Sequence, residues 1–181
     1  TVRLIPPAYV KPYVKRQKND ETDAEAICEA AQRPTMRFVP VKSEQQQASG
    51  VVFRARDLLV RQRTQLSNAL RGHMAEYGYV APLGVSHIQR LIETIQDPQA
   101  ELPLAARATL QVMVEMLRVL DEQLVVLDAG IARRAKEEPI ARRLLTIPGI
   151  GPVTAAAIVA LAPDPKTFGC GRDFAAWLGL T

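Results

Sequence analysis

Aromatic residues make up only 5% of this 181-residue sequence, although apolar residues together reach 48%. That imbalance argues against a β-sandwich and for helices packed through Ala, Leu and Val. Cysteine and histidine are scarce as well. Cys28 and Cys170 form no C-x-x-C pair, and neither His73 nor His87 has a partner at metal-ligand spacing. The expectation is two ordinary thiols in a cytosolic protein and no zinc site. No apolar run approaches the ~20 residues of a membrane span, and the first residues lack the apolar core of a secretory signal, so no membrane partner is expected. The length allows one or two small domains with their own cores. The chain begins with Thr1 rather than Met, which suggests a piece of something longer.

Net charge is +4 and the sequence pI is 9.3. A polyanionic partner fits that balance. Net charge is +2 over residues 1–41, +3 over 42–78, −3 over 79–138 and +2 over 139–181. The two ends and the first long helix are therefore the expected nucleic-acid side, with the acidic middle turned away.

Lys18-Asn19-Asp20-Glu21-Thr22-Asp23-Ala24 opens a helix expected over Asp20 to Gln32, with Ala24, Ile27, Cys28 and Ala31 on one face and Pro34 ending it. At i, i+3, Asp20 and Asp23 share a face, roughly 5–6 Å apart at Cβ. Carboxylates so placed can bracket Mg²⁺, which takes oxygen ligands. A cation pair held that way can clamp the attacking and leaving oxygens of a phosphodiester. The structural alternative is equally direct. Asp is a favoured N-cap, and acids in a first turn suit the helix dipole. Spacing alone leaves both open.

Upstream, Val2 to Ile5 reads as a short strand stopped by Pro6-Pro7, needing other strands to be stable. Ala8 to Lys18 reads as a basic connector, with Lys11, Lys15, Arg16 and Lys18 around Tyr9 and Tyr13. It is either a solvated loop or a phosphate-contacting one. Met36 to Pro40 is a second extended segment. Ser43 with Gln46 forms a capping-box pattern. It starts a helix expected to run to Tyr77, with Val52, Ala55, Leu59, Leu66, Ala69 and Leu70 as a partial seam interrupted by Gln62. Arg54, Arg56, Arg61, Arg63 and Arg71 line its remaining surface, as solvated charge or as a backbone track for RNA or DNA.

Ser86 is expected to cap a short helix through Ile95. A long helix follows over about Leu102 to Glu137. Its apolar residues Leu110, Met113, Leu117, Leu120, Leu124, Leu127 and Ile131 step by 3 and 4, a sustained heptad seam. The partner is open: the 43–77 helix folded back antiparallel, a second subunit, or both. Two helices of roughly 35 residues each reach about 50 Å.

Leu144 to Ile158 resembles a helix–hairpin–helix motif: an apolar-Pro-Gly-apolar-Gly turn, then a small-residue helix. Gly149 and Gly151 let the backbone turn tightly, and backbone N–H groups at Val153 and Thr154 could receive a phosphate. Val153 stands where DNA-repair versions of the motif often look basic. A loop over Pro163 to Gly171 and a last helix around Phe174 and Trp177 complete the chain.

Taken in order, these pieces resemble the insertion-sequence transposases of the one-hundred-and-ten type, with a DEDD RuvC-like domain. The carrying residues are Val10-Lys11-Pro12-Tyr13, Lys18 to Ala24, Phe38-Val39-Pro40-Val41-Lys42, Ile147-Pro148-Gly149-Ile150-Gly151 and Phe174 to Leu180. The resemblance covers essentially the whole chain. It implies a mainly α protein in three parts. Residues 1–42 would be the remnant of an RNase H/RuvC-like α/β domain. Residues 43–138 would be a long antiparallel coiled-coil arm. Residues 139–181 would open a C-terminal transposase domain with the helix–hairpin–helix bundle. It implies Asp20 and Asp23 as the last two acids of a Mg²⁺-binding set, with the first Asp and the Glu upstream and a catalytic serine downstream. Ser43, Ser49, Ser67 and Ser86 match nothing in that serine region. The implied activity is insertion-sequence DNA transposition by RNA-guided, site-specific strand exchange. It would involve DNA, a guide (bridge) RNA and a homo-oligomer, dimer or tetramer, in the bacterial cytoplasm at the nucleoid. This segment alone should not complete strand exchange. The alternatives are a non-catalytic nucleic-acid-binding coiled-coil/helix–hairpin–helix module, and a purely structural coiled-coil protein.

Overall fold

The computed structural model describes residues 2–15 and 19–180. Within them the chain is mainly helical, with eight α-helices in the order α1 Pro7–Val10, α2 Asp20–Ala31, α3 Glu44–Ala75, α4 Val85–Gln96, α5 Leu104–Glu137, α6 Pro139–Leu144, α7 Pro152–Leu161 and α8 Gly171–Trp177. None of the described helices is long and apolar enough to cross a membrane. Two compact units form: Thr1–Gln47 with Pro163–Thr181, and Ala48–Ala162.

In the first unit the two expected strands shrink to one antiparallel bridge between Leu4 and Val39, with Val39 N–H donating to Leu4 O at 2.8 Å. Pro6 and Pro40 bound the pair, and among the described residues no third strand supports it. The expected basic loop is partly helical: α1 leads directly into a 3₁₀ turn over Lys11–Tyr13. Helix α2 is capped by Asn19, not by an aspartate. The Asn19 side chain accepts from Thr22 N–H at 2.8 Å, so Asp20, Glu21 and Asp23 lie in the first turn, where the dipole favours them. The buried side of α2 is Ala26 and Ala30, and the expected face of Ala24, Ile27, Cys28 and Ala31 is exposed. Ile27 lies against an open cavity. Arg33 adds an i, i+4 ion pair with Glu29. The last helix, α8, carries Phe174 and Trp177 as expected, and these two pack ring against ring with Phe168.

In the second unit α3, from Ala48 onward, and α5 run antiparallel. Ser43 and Gln46 form the expected capping box at the head of α3, Ser43 N–H donating to Gln46 Oε1 at 2.9 Å and Gln46 N–H to Ser43 Oγ at 3.2 Å. Gly78, at φ +83, ends α3. Tyr79 N–H returns to Met74 O and Gly78 N–H to Ala75 O, a Schellman closure that needs a residue tolerant of positive φ. Ser86 does not cap α4. Gly84 holds the N-cap position without a side-chain bond, and Ser86 falls inside the first turn.

The heptad on α5 is the packing stripe. Leu110, Leu117, Leu124 and Ile131 are buried, with Met113, Leu120 and Leu127 half-buried. Val114 and Ala135 join the buried side, because α5 receives neighbours on more than one flank. Leu70 and Met74 of α3, Ile88, Leu91 and Ile95 of α4, and Leu110, Val114 and Leu117 of α5 form one core. Each such buried side chain contributes about 1.5–3 kcal/mol relative to exposure. Arg107 ties α5 to the end of α4, donating to Ile95 O at 2.6 Å, to Ala100 O at 2.7 Å and to Asp97 O. It thereby satisfies carbonyls that the helix end leaves open.

Along the other half of α3 the partly covered heptad positions carry arginine. Arg56 grips both oxygens of Asp128, with Nη2–Oδ2 at 3.1 Å, and the bond raises the guanidinium pKa further. Arg63 grips both oxygens of Asp121. One heptad forward on α3 is one heptad back on α5, so the two pairs share one register. These two arginines are therefore not part of an outward nucleic-acid track. Gln62, expected to interrupt the seam, simply points outward.

Two predictions follow from this packing. Arg63→Ala should destabilise the chain by about 1–2 kcal/mol in urea unfolding, since it strands a carboxylate, and the swap of Arg63→Asp with Asp121→Arg should recover much of the loss. A swap no better than the single Ala change would refute a register set by this pair. Gly50 offers the opposite case. A Cβ there would meet Arg54 Nη2 at 3.6 Å and Leu161 Cδ2 at 3.8 Å, both ordinary contacts. Gly50→Ala should stabilise α3 by up to about 1 kcal/mol, read as a higher urea midpoint.

Candidate metal and nucleic-acid sites

Asp20 and Asp23 occupy the first turn of α2, both exposed. Neither carries an ion pair among the described residues. Asp23 also lines a cavity of about 650 Å³ with Lys11, Leu4, Ile5, Val14 and Ile27. The Asn19 cap fixes the start of the helix and hence the direction of both carboxylates. Their chemistry fits a hard divalent cation, which takes carboxylate oxygen and keeps several waters. Two donors are fewer than a full ligand set, and among the described residues no group of three or more His, Cys, Asp or Glu side chains comes together. The pair suits a metal that draws its remaining ligands from water or phosphate.

The basic residues expected beside this pair behave differently from one another. Lys11 sits in the 3₁₀ turn and faces the same cavity as Asp23. Lys15 is taken up by Glu25, Nζ to Oε1 at 2.8 Å, and that hydrogen bond raises its pKa. The pair is exposed, so it adds little stability. Arg16 and Lys18 lie outside the described residues.

On α3, Arg54 turns back onto its own helix, Nε donating to Gly50 O at 3.0 Å, and Arg61 pairs with Asp57 at 2.8 Å. Arg71 donates to Gly84 O at 2.6 Å. The expected arginine track thus divides into two inter-helix pairs and three residues with local partners.

Around Pro148 the chain makes a tight turn. Ile150 N–H donates to Ile147 O at 3.1 Å, Pro148 takes the second position and Gly149 the third at φ +87. That is the pattern of a type II turn. Gly151 then caps α7 in extended conformation, with no side-chain bond, and accepts from Ala155 N–H at 2.9 Å. Pro152 has no N–H, so Val153 and Thr154 present the free first-turn donors. The turn is seated by one buried alanine from each of three helices, Ala135, Ala141 and Ala155, with Leu144, Leu145 and Ile150 around them.

Asn19, Asp121 and Asp128 escaped the sequence reading. A signal existed for the aspartates. They are spaced one heptad apart on α5, as Arg56 and Arg63 are on α3, and both sets lie beside the apolar stripe.

Comparison with known proteins adds a second line. Residues 1–79 match the DEDD IS110 transposase family, and residues 141–181 match the Transposase IS116/IS110/IS902 family. Over 181 residues the chain is 46% identical to a Sinorhizobium fredii protein named as a transposase (y4pF/y4sB), covering 99% of this chain and 46% of that protein. It is 47% identical over 188 residues to a Pseudomonas aeruginosa protein named as a family 20 transposase, covering 99% and 54%. It is 39% identical over 179 residues to the transposase for insertion sequence element IS1328 of Yersinia enterocolitica, covering 99% and 53%. The chain therefore spans about half the length of the curated relatives it matches. No solved structure matches it.

The turn makes its own prediction. A Cβ at Gly149 would meet nothing within 4 Å, so Gly149→Ala tests backbone strain alone. It should cost about 1–2 kcal/mol, seen as a lower thermal midpoint. An unchanged midpoint would exclude the positive-φ turn.

Proposed function

We infer the role of this segment from one premise: the chain belongs to the IS116/IS110/IS902 transposase family. On that premise it is the part of an insertion-sequence transposase that carries two acids of the DEDD metal set, a helical arm and the start of the C-terminal transposase domain. The reaction of the whole protein is DNA transposition by RNA-guided, site-specific strand exchange in a homo-oligomer, with DNA and a bridge RNA as partners.

The observation that carries this reading is the Asp20/Asp23 pair. Both acids are exposed at the start of α2 without an ion pair among the described residues, inside the stretch that matches the DEDD family. Asp20 and Asp23 would hold Mg²⁺, which when bound stabilises charge on phosphodiester oxygens and orients them. The chain's own contribution is positional. The Asn19 cap aims both carboxylates, and Lys11, on the cavity that Asp23 also lines, offers a positive charge to a phosphate. In this reading residues 1–42 are the remnant of a RuvC-like domain, and the α6–α7 turn is a helix–hairpin–helix in which Gly149 and Gly151 bring the Val153 and Thr154 N–H groups to a phosphate. Arg54 and Arg61 would supplement that contact by exchanging weak local partners for phosphate.

A non-catalytic nucleic-acid-binding module is the second reading. It is favoured by the Asn19 cap, which lets the helix dipole account for Asp20 and Asp23 without a metal.

One experiment separates the two. Asp20→Asn combined with Asp23→Asn, made at the matching positions of a full-length relative, should abolish transposition while the protein remains folded by circular dichroism. Transposition at the wild-type frequency would defeat the metal assignment and favour the second reading.

A further inference from the structure

In the first unit the chain from Pro7 to Val14 forms a short ridge, α1 followed by the 3₁₀ turn over Lys11–Tyr13. Its two faces carry different chemistry. Pro7, Val10, Lys11 and Val14 fall at i, i+3, i+4 and i+7, one helical face, and line the cavity that Asp23 also lines. Tyr9, Pro12 and Tyr13 fall at i, i+3 and i+4 on the other face. They line another cavity, of about 320 Å³, together with Thr35, Met36 and Arg37 from the segment after α2. Ala8 lines both cavities, so the two adjoin across the ridge.

The tyrosine cavity suits a flat aromatic ligand. Tyr9 and Tyr13 offer rings to stack on, and Pro12 and Met36 offer apolar surface. The Arg33 guanidinium lies 5.4 Å from the centroid of the Tyr13 ring, so positive charge already stands against that ring. Arg37 is exposed and carries no ion pair among the described residues. It leaves a guanidinium at the cavity for an anion. A volume of about 320 Å³ stands at the small end of ligand sites. A concave site of that size admits one base swung out of a strand, whereas a base held in a duplex stack cannot enter it.

We propose that the Tyr9/Tyr13 cavity holds an unpaired base of the DNA strand that the Asp20/Asp23 pair acts on, with the base stacked on tyrosine and a flanking phosphate on Arg37. The proposal rests on the transposase reading and deepens it, since that reading assigns phosphate contacts beside the acids and no base contact. DNA is the occupant because the cavities adjoin. A strand with a phosphate in the Asp23/Lys11 cavity continues across Ala8 to the tyrosines. Stacking is tolerant of sequence, so the site calls for an unpaired base and not for a particular one. The competing explanation is packing: Tyr13 is half-buried and covered by Arg33 just past the end of α2. Packing accounts poorly for Tyr9, which is 47% exposed. A packing role affects melting and leaves the preference for single strand over duplex unchanged.

The test measures binding of the chain to a labelled single-stranded DNA oligonucleotide, to the same sequence as a duplex and to its RNA counterpart, between about 50 and about 200 mM salt. Tyr9→Ala should weaken binding of the DNA single strand by about 5- to 150-fold, the range for losing one stacked base, and leave duplex binding and the thermal midpoint as they are. Tyr9→Phe keeps the ring and should retain the wild-type affinity. Arg37→Gln should flatten the slope of log K against log salt on the single strand by about 0.7, and it keeps the proposal testable if Tyr9→Ala folds poorly. Equal dependence on Tyr9 with DNA and RNA supports the cavity, because stacking does not read the sugar. Dependence with RNA alone overturns the DNA assignment. Wild-type single-strand affinity in Tyr9→Ala overturns the proposal, as does an equal loss on the duplex. Wild-type chain that fails to bind the DNA single strand at about 50 mM salt overturns it as well. Each of these failures leaves the transposase reading to the Asp20/Asp23 test, which reads transposition and not base contact.

Discussion

Helix α3 presents Arg56 and Arg63 to a neighbour whose facing stripe is otherwise leucine, isoleucine and valine. A guanidinium half out of water there is costly unless it is hydrogen-bonded and charge-paired. Asp128 and Asp121 meet that requirement with two-oxygen grips. Their spacing favours this antiparallel alignment, since a one-heptad slip would keep only one of the two pairs and leave the other arginine against apolar side chains. The apolar pairs at the other end, Leu70 and Met74 with Leu110 and Val114, supply the bulk of the burial but tolerate sliding better than ions do. Hydrophobic area thus holds the two long helices together, and the ion pairs decide their register.

Everything in the second unit hangs on that alignment. Helix α4 closes the end where α3 is apolar, and Arg107 fastens it by its carbonyls. At the opposite end of α5, small residues replace large ones. Ala135, Ala141 and Ala155 allow α5, α6 and α7 to approach closely.

The first unit is organised differently. It has one backbone bridge, short helices and a sizeable cavity walled by Leu4, Ile5, Val14 and Ile27. Its best-defined local feature is the start of α2, where Asn19 takes the capping role and frees Asp20 and Asp23 to face solvent. Capping and metal binding look like rivals when both are assigned to aspartate, but with Asn19 as the cap the two roles would fall to different residues.

Much of this was legible before any coordinates. The leucine heptad of α5, the Ser43/Gln46 box and the Pro148–Gly149 turn were all readable, because each depends on residues close in sequence and on a fixed period or dihedral. The face of α2 was not. Ala24, Ile27, Cys28 and Ala31 form the more apolar side, yet Ala26 and Ala30 are the buried ones, since burial depends on what packs against the helix and not on its own apolar content. The fates of the arginines were equally hidden. Arg56, Arg61, Arg63 and Arg142 are alike as letters, and only the positions of Asp121, Asp128 and Asp57 separate the paired from the free. Sequence alone determined where the long helices lie, where they stop and which stripe of α5 is apolar, through periodicity and local backbone chemistry. Tertiary structure alone decided which face is covered and which charges are spent, because those depend on what arrives from elsewhere in the chain.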